Sequence, residues 1–130
     1  MKTKILILAS LILVTGCASL KEGIKGLAGV STKALEENRK TAIVKVFDMD
    51  YFNCYIRALD SLKKMGAYIY AQDIKKYMIA IYVSESDTTP VGVFFKEVIR
   101  NATQVEVSSP SSYAKEVIAA KLFSALEGKN

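Results

Sequence analysis

The stretch AIVKVFDMDYFNCYIRALDSLKKMG, residues 42–66, contains a predicted strand followed by a predicted helix. Residues 42–47 are rich in β-branched side chains and end at an acidic segment typical of a turn. Asp50 is a suitable helix N-cap and Gly66 a natural helix stop. Between them, apolar residues recur at helical spacing, in the stripe Tyr51, Tyr55, Ala58, Leu62 and Met65. The stretch therefore predicts a β-α unit with one apolar helix face.

Three or four further strands and a second helix are expected downstream; the candidate strands are residues 67–72, 77–83, 91–98 and 104–108. The first two flank a four-residue segment suited to a hairpin turn. The second of them is apolar on both faces, which favours a central position in the sheet. Gly92 suggests a bend in the next strand. Ser109 and Pro110 have the pattern of an N-cap and first residue of a helix that extends through Leu126.

The resulting order, β-α-β-β-β-β-α, predicts an α+β domain over residues 42–127. We expect an antiparallel sheet of four or five strands with the helices on one face. Residues 17–41 contain Gly23, Gly26 and Gly29 among polar residues and are expected to form a flexible tether, with residues 31–40 compatible with a short helix.

Residues 1–17 have the pattern of a bacterial lipoprotein signal peptide. Two lysines precede an uncharged run over residues 5–14, about half of the ~20 residues needed to span a bilayer. The stretch Val14-Thr15-Gly16-Cys17 then resembles the lipobox, which implies cleavage between Gly16 and Cys17 and acylation of the Cys17 thiol. The alternatives are an ordinary signal peptide with a chance cysteine and a buried N-terminal helix.

Lipidation would hold the protein in the cell envelope without a membrane span, since two or three acyl chains anchor a protein stably. Residues Ala18 and Ser19 lack the aspartate that resembles an inner-membrane retention signal, so in a bacterium with two membranes the expected location is the outer membrane, facing the periplasm. Removal of Lys2 and Lys4 lowers the formal charge from +5 to +3. Export from the cytoplasm and the small remaining positive charge both argue against nucleic acid as a partner.

The lipobox, the tether and the element order over residues 42–126 resemble a group of small bacterial lipoproteins of unknown function. The layout is similar to the helix-grip repeats found in one lipoprotein of the β-barrel assembly machinery. The resemblance implies an envelope location and a fold, and it carries over no catalytic residues.

Candidate catalytic groups are few, because the chain contains no histidine. Cys54 is the one thiol left after acylation of Cys17, but its place at the edge of the apolar stripe favours a buried, inert side chain. Asp48 and Asp50 could hold Ca²⁺, although capping and turn formation explain them more simply. Since no nucleophile and base can be combined, we expect neither an enzyme nor a cofactor or metal site.

Four tyrosines are the best candidate for partner binding. Tyr68 and Tyr70 share a strand face, while Tyr77 and Tyr82 lie on opposite faces of the adjacent strand. Tyrosines of this set that face solvent would suit the binding of a peptide, a sugar or a protein. The alternative is that these rings only pack against one another across the strands, at a half-buried surface. We therefore expect a non-catalytic interaction or structural module of the envelope, or else a lipoprotein that binds a small lipid or peptide. Four lysines, Lys63, Lys64, Lys75 and Lys76, would add a basic rim or simply a soluble surface.

Overall fold

A five-stranded antiparallel sheet forms the centre of the computed structural model, which describes residues 32–128. Its strands are β1 (Ile43–Phe47), β2 (Tyr68–Asp73), β3 (Met78–Tyr82), β4 (Pro90–Ile99) and β5 (Ala102–Ser108). The order across the sheet is β1-β5-β4-β3-β2, and every neighbouring pair is antiparallel. The expected α+β class with an antiparallel sheet is confirmed. The edges of this sheet are β1 and β2.

Three helical segments accompany the sheet: α1 (residues 32–37, continued by a 3₁₀ turn, Asn38–Thr41), α2 (Tyr51–Lys64) and α3 (Ser112–Leu126). The predicted ends of α2 are confirmed. The Asp50 carboxylate accepts a hydrogen bond from the backbone N–H of Asn53 at 3.1 Å, and Gly66 follows the helix with a φ of +87°. Since this left-handed conformation is open to glycine at little cost, Gly66 ends the helix where the sequence indicates.

The main core lies between the sheet and the helices α2 and α3. It consists of alternate strand residues and the apolar faces of both helices, all at most 5% exposed: Phe47, Cys54, Tyr55, Ala58, Leu62, Ile79, Ile81, Val91, Val93, Phe95, Val105, Val107, Ala114, Ile118, Ala119, Leu122 and Leu126. The sequence predicts a central position for β3; it pairs on both sides, with β2 and β4, but the middle strand of the five is β4. Alternate residues of β3 point to opposite faces, and both faces are apolar.

The opposite face of the sheet, here called the outer face, carries a second, smaller core. Leu35 of α1 is fully buried there against Ala80 and Phe94. The backbone carbonyl of Leu35 also accepts a hydrogen bond from the Ser108 hydroxyl at 2.6 Å.

The sequence predicts a tether up to residue 41, but residues 32–41 pack on the sheet and belong to the folded domain. The expected helices on one face are thus α2 and α3, while α1 covers part of the other. The rest of the predicted tether and the signal segment lie outside the described residues.

Gly92 explains how α1 approaches the sheet so closely. A Cβ atom at this position would lie 2.9 Å from a ring carbon of Phe94 and 3.1 Å from the Cβ of Leu35. Strand β4 pairs on both sides at this residue, with Ala80 and Ser108. The glycine therefore makes room for the Leu35 side chain within a continuous strand.

The predicted start of α3 is wrong by two residues. The N-cap is Ser111, whose hydroxyl accepts a hydrogen bond from the N–H of Ala114 at 3.2 Å. Ser109 is instead buried at the end of β5, where its hydroxyl donates to the carbonyl of Pro90 at 2.7 Å. The Ser109 hydroxyl also accepts a hydrogen bond from the N–H of Ser111 at 3.1 Å, so Ser109 fixes the turn before the helix and Ser111 caps the helix itself.

Replacing Leu35→Ala should lower the free energy of unfolding by about 2–5 kcal/mol, since the change leaves a cavity in the outer core. Urea unfolding followed by far-UV circular dichroism would measure the loss. Lys33→Ala, an exposed position on the same short helix, is the control and should change stability by less than about 0.5 kcal/mol. Equal, small effects of both changes would mean that α1 is not part of the cooperative domain.

Candidate functional site

Three tyrosines stack on the outer face of the sheet, at the β2–β3 hairpin. The ring centroids of Tyr70 and Tyr82 are 4.4 Å apart, and those of Tyr68 and Tyr82 are 6.0 Å apart with the rings 8° from parallel. Tyr68 and Tyr82 are direct cross-strand partners. Tyr70 lies two residues from Tyr68 and therefore on the same face, and beside the register shift between Ile69 and Ala71 it packs with Ala71 against the outer core. We call Tyr68, Tyr70 and Tyr82 the tyrosine face.

The tyrosine face is partly open to solvent. Tyr68 is 48% exposed, and Tyr70 and Tyr82 are half-buried. Flat aromatic rings that carry a hydroxyl contribute both apolar contact area and a hydrogen-bonding group, which suits a protein or peptide contact. The three rings therefore form an amphipathic surface already held in place by their mutual stacking.

The fourth candidate, Tyr77, is not part of this surface. It lies on the helix side, where its ring stacks on Tyr51 with 4.2 Å between centroids. Its hydroxyl donates to the Glu97 carboxylate at 2.8 Å, and this hydrogen bond raises the pKa of Tyr77. Tyr77 has a φ of +58°, unusual for a large side chain. The predicted opposition of Tyr77 and Tyr82 is confirmed, and Tyr77 has a structural role at the end of the β2–β3 turn.

Arg39 extends the outer face beyond the tyrosines. Its guanidinium lies 4.2 Å above the centroid of the Phe94 ring, and its Nε donates to the Glu106 carboxylate at 2.9 Å. Sequence reasoning missed both Arg39 and Leu35. In the sequence, Leu35 is a single leucine in a polar segment. Such a residue does not indicate which face of the sheet the segment packs against.

The four lysines of the expected basic rim do not form one group. Lys63 lines a shallow groove of about 560 Å³ together with Tyr68 and Glu85. Lys64 pairs with the Asp60 carboxylate at 3.0 Å on the exposed side of α2. Lys75 and Lys76 lie in the 3₁₀ turn at the other end of the hairpin, Ile74–Lys76. Lys63 is thus the one lysine of the four that shares a groove with the tyrosine face.

A second groove, of about 550 Å³, lies on the outside of α2 and α3. Three cationic side chains, Arg57, Lys64 and Lys121, line it together with Asp60. Both grooves are open and lined largely by surface residues, whereas the space between the sheet and these helices is filled by the main core.

Cys54 is fully buried in the main core, and burial raises the pKa of its thiol from 9.0 to about 11. The hydrophobic interpretation of Cys54 is therefore confirmed: the neutral thiol is the form present near neutral pH, which is unsuited to nucleophilic attack. Asp50 is occupied as the N-cap of α2, and Asp87 accepts hydrogen bonds from Thr89 within its loop. Within residues 32–128, no group of three or more Cys, Asp or Glu side chains is placed to hold a metal ion.

Comparisons with known proteins add no relative. The chain matches no protein-family model and no curated protein. In the described part of the chain, no helix is both long and apolar enough to cross a bilayer. The candidate site therefore stands on its own geometry.

The Cys54 thiol should make the folded protein less stable at high pH. An unfolded chain loses this proton near pH 9, whereas the folded chain keeps it until about pH 11. The unfolded state thus binds fewer protons in this window, and the free energy of unfolding falls as the pH rises. Urea titrations at pH 8 and pH 10.5 should show a smaller fall for Cys54→Ala than for the native residue. An equal fall in both chains would contradict the assigned pKa.

Proposed function

We propose that the protein is a lipid-anchored lipoprotein of the bacterial envelope and acts there as a non-catalytic interaction module. Acylated Cys17 would hold it on the membrane, in the outer membrane facing the periplasm where the cell has two. The tyrosine face is the observation that carries the interaction role. It would bind a segment of another envelope protein through apolar contact with the stacked rings and through the hydroxyl of the exposed Tyr68.

Fourteen residues, 18–31, lie between the proposed anchor at Cys17 and the first described residue of the folded domain. At ~3.3–3.6 Å per residue, a chain of this length sets an upper limit of about 50 Å on the distance between Cys17 and residue 32.

The alternative is a lipoprotein that binds a small lipid or peptide. Such a protein needs a concave, largely apolar pocket that encloses most of its ligand. The packed main core between the sheet and the helices α2 and α3, together with the openness of both grooves, favours the interaction module, because neither groove would enclose a ligand.

The anchor has a direct test. The chain expressed in a bacterial host should be recovered with membranes, with an intact mass that corresponds to a start at Cys17 plus acyl groups. Cys17→Ser should abolish both the added mass and the membrane recovery. A native chain that keeps residues 1–16 and stays in the soluble fraction would overturn the lipoprotein assignment.

The interaction role can be tested by site-specific photo-crosslinking in native envelopes. A photoreactive residue at Tyr68 should give a discrete adduct with one envelope protein. The same residue at Tyr113, a 79% exposed tyrosine on α3, is the control and should give none. Tyr82→Ala should reduce the Tyr68 adduct several-fold, because its ring supports Tyr68 by stacking. Equal labelling at both positions would contradict a specific role for the tyrosine face. A small lipid or peptide as the labelled species would favour the alternative.

A further inference from the structure

Strand β1 forms one edge of the sheet, and its free side, the side away from β5, is regular. Its five residues pair with β5 in an uninterrupted register, and the strand contains no proline or glycine. Two side chains on its outer face, Val44 and Val46, are 49% and 48% exposed. Within residues 32–128, no strand pairs with this edge. Natural edge strands usually carry a bulge, a proline or charged residues, above all lysine, that hinder pairing with another chain; of these devices β1 has only Lys45.

The other edge strand, β2, does carry such a feature. Its pairing with β3 is shifted between Ile69 and Ala71, and it ends in the polar residues Gln72 and Asp73. A bulge twists a strand away from the flat geometry that a new partner strand needs. The edge at β2 is thus interrupted by an irregularity, whereas the edge at β1 is regular and carries one charge, that of Lys45.

The sequence of β1 is complementary to itself. When two copies of Ile43-Val44-Lys45-Val46-Phe47 run antiparallel about Lys45, each Val44 lies opposite a Val46 and each Ile43 opposite a Phe47. Cross-strand pairs of β-branched and aromatic side chains stabilise antiparallel sheets. The exposed valines of both copies would then lie side by side on the outer face.

The central lysine does not prevent this pairing. Lys45 forms an ion pair with Glu127 at the end of α3, and its ammonium lies 5.8 Å from the centroid of the Phe47 ring. The nearby carboxylate offsets the repulsion that two opposed lysines would otherwise cause.

We propose that two copies of this chain associate through β1, antiparallel and centred on Lys45, to form a continuous ten-stranded sheet. The five strands of each copy contribute one half. The contact uses backbone hydrogen bonds along the edge and the two Val44–Val46 pairs for specificity, the mode by which strands add to a free sheet edge. The association through β1 requires no lipid anchor. A result that excludes this association would therefore leave the proposed function unaffected.

Cysteine cross-linking of the full chain tests the register. Directly opposed residues have Cα atoms about 4.5–5.5 Å apart, within the range of a disulfide, whereas diagonal neighbours are about 7–8 Å apart. Under mild oxidation, Lys45→Cys should therefore give a covalent dimer. Val44→Cys alone should give little covalent dimer, because the two Val44 positions are diagonal neighbours. An equal mixture of Val44→Cys and Val46→Cys chains should cross-link, because these two positions lie directly opposite each other. The chain with only its native cysteines measures the background.

Sedimentation of the purified full chain tests the association itself. Val46→Lys places a charge on the edge and should weaken dimerisation by about tenfold or more. Val98→Lys is the matched control, since Val98 is 49% exposed on an inner strand and should leave dimerisation unchanged. A monomer at all concentrations, equal cross-linking at every cysteine position, or equal effects of both lysine changes would each overturn the proposal.

Discussion

The sheet must be covered on both sides, because β3 and β4 carry apolar residues on both faces. On one side, α2 and α3 bury Ile79, Ile81 and Val93. On the other, Ala80 and Phe94 would meet water without α1. Burial of apolar surface is the main favourable term in folding, so a strand of this kind is stable only between two layers. The close contact of Leu35 over Gly92 lets a very short helix supply the second layer.

This second layer is small, and the tyrosine face follows from its size. A segment as short as residues 32–41 covers the middle of the outer face and leaves the β2–β3 hairpin beside it partly exposed. Tyrosines fill that boundary in two ways: Tyr70 packs on the apolar cluster with its hydroxyl buried, whereas Tyr68 is 48% exposed. Tyr82 stacks on both Tyr68 and Tyr70, and thus links the open rim of the face to the buried cluster.

Local patterns in the sequence were sufficient to locate α2 and the strands. The spacing of apolar residues and the Asp50 and Gly66 signals place α2 within one residue, and alternation places all five strands. Long-range packing was not accessible in the same way. A lone Leu35 in a polar segment has no periodicity, and the small residue that receives it, Gly92, suggests a bend when read alone. Alternation indicated that Tyr68 and Tyr70 share a face and that Tyr77 and Tyr82 lie on opposite faces, but the stacking of Tyr82 on both others depends on the β2–β3 register, which alternation does not set.

The proposed anchor, tyrosine face and β1 contact are geometrically compatible. Antiparallel pairing at a sheet edge relates the two copies by an axis perpendicular to the sheet, so the same face of both points to the same side. In the ten-stranded sheet, the two tyrosine faces and the two α1 segments would therefore lie on one side. Eight strand spacings of about 4.8 Å separate the centres of the two β2–β3 hairpins, which is roughly 38 Å. A partner with two binding segments would then contact both tyrosine faces at once, with the gain in affinity that linked sites provide.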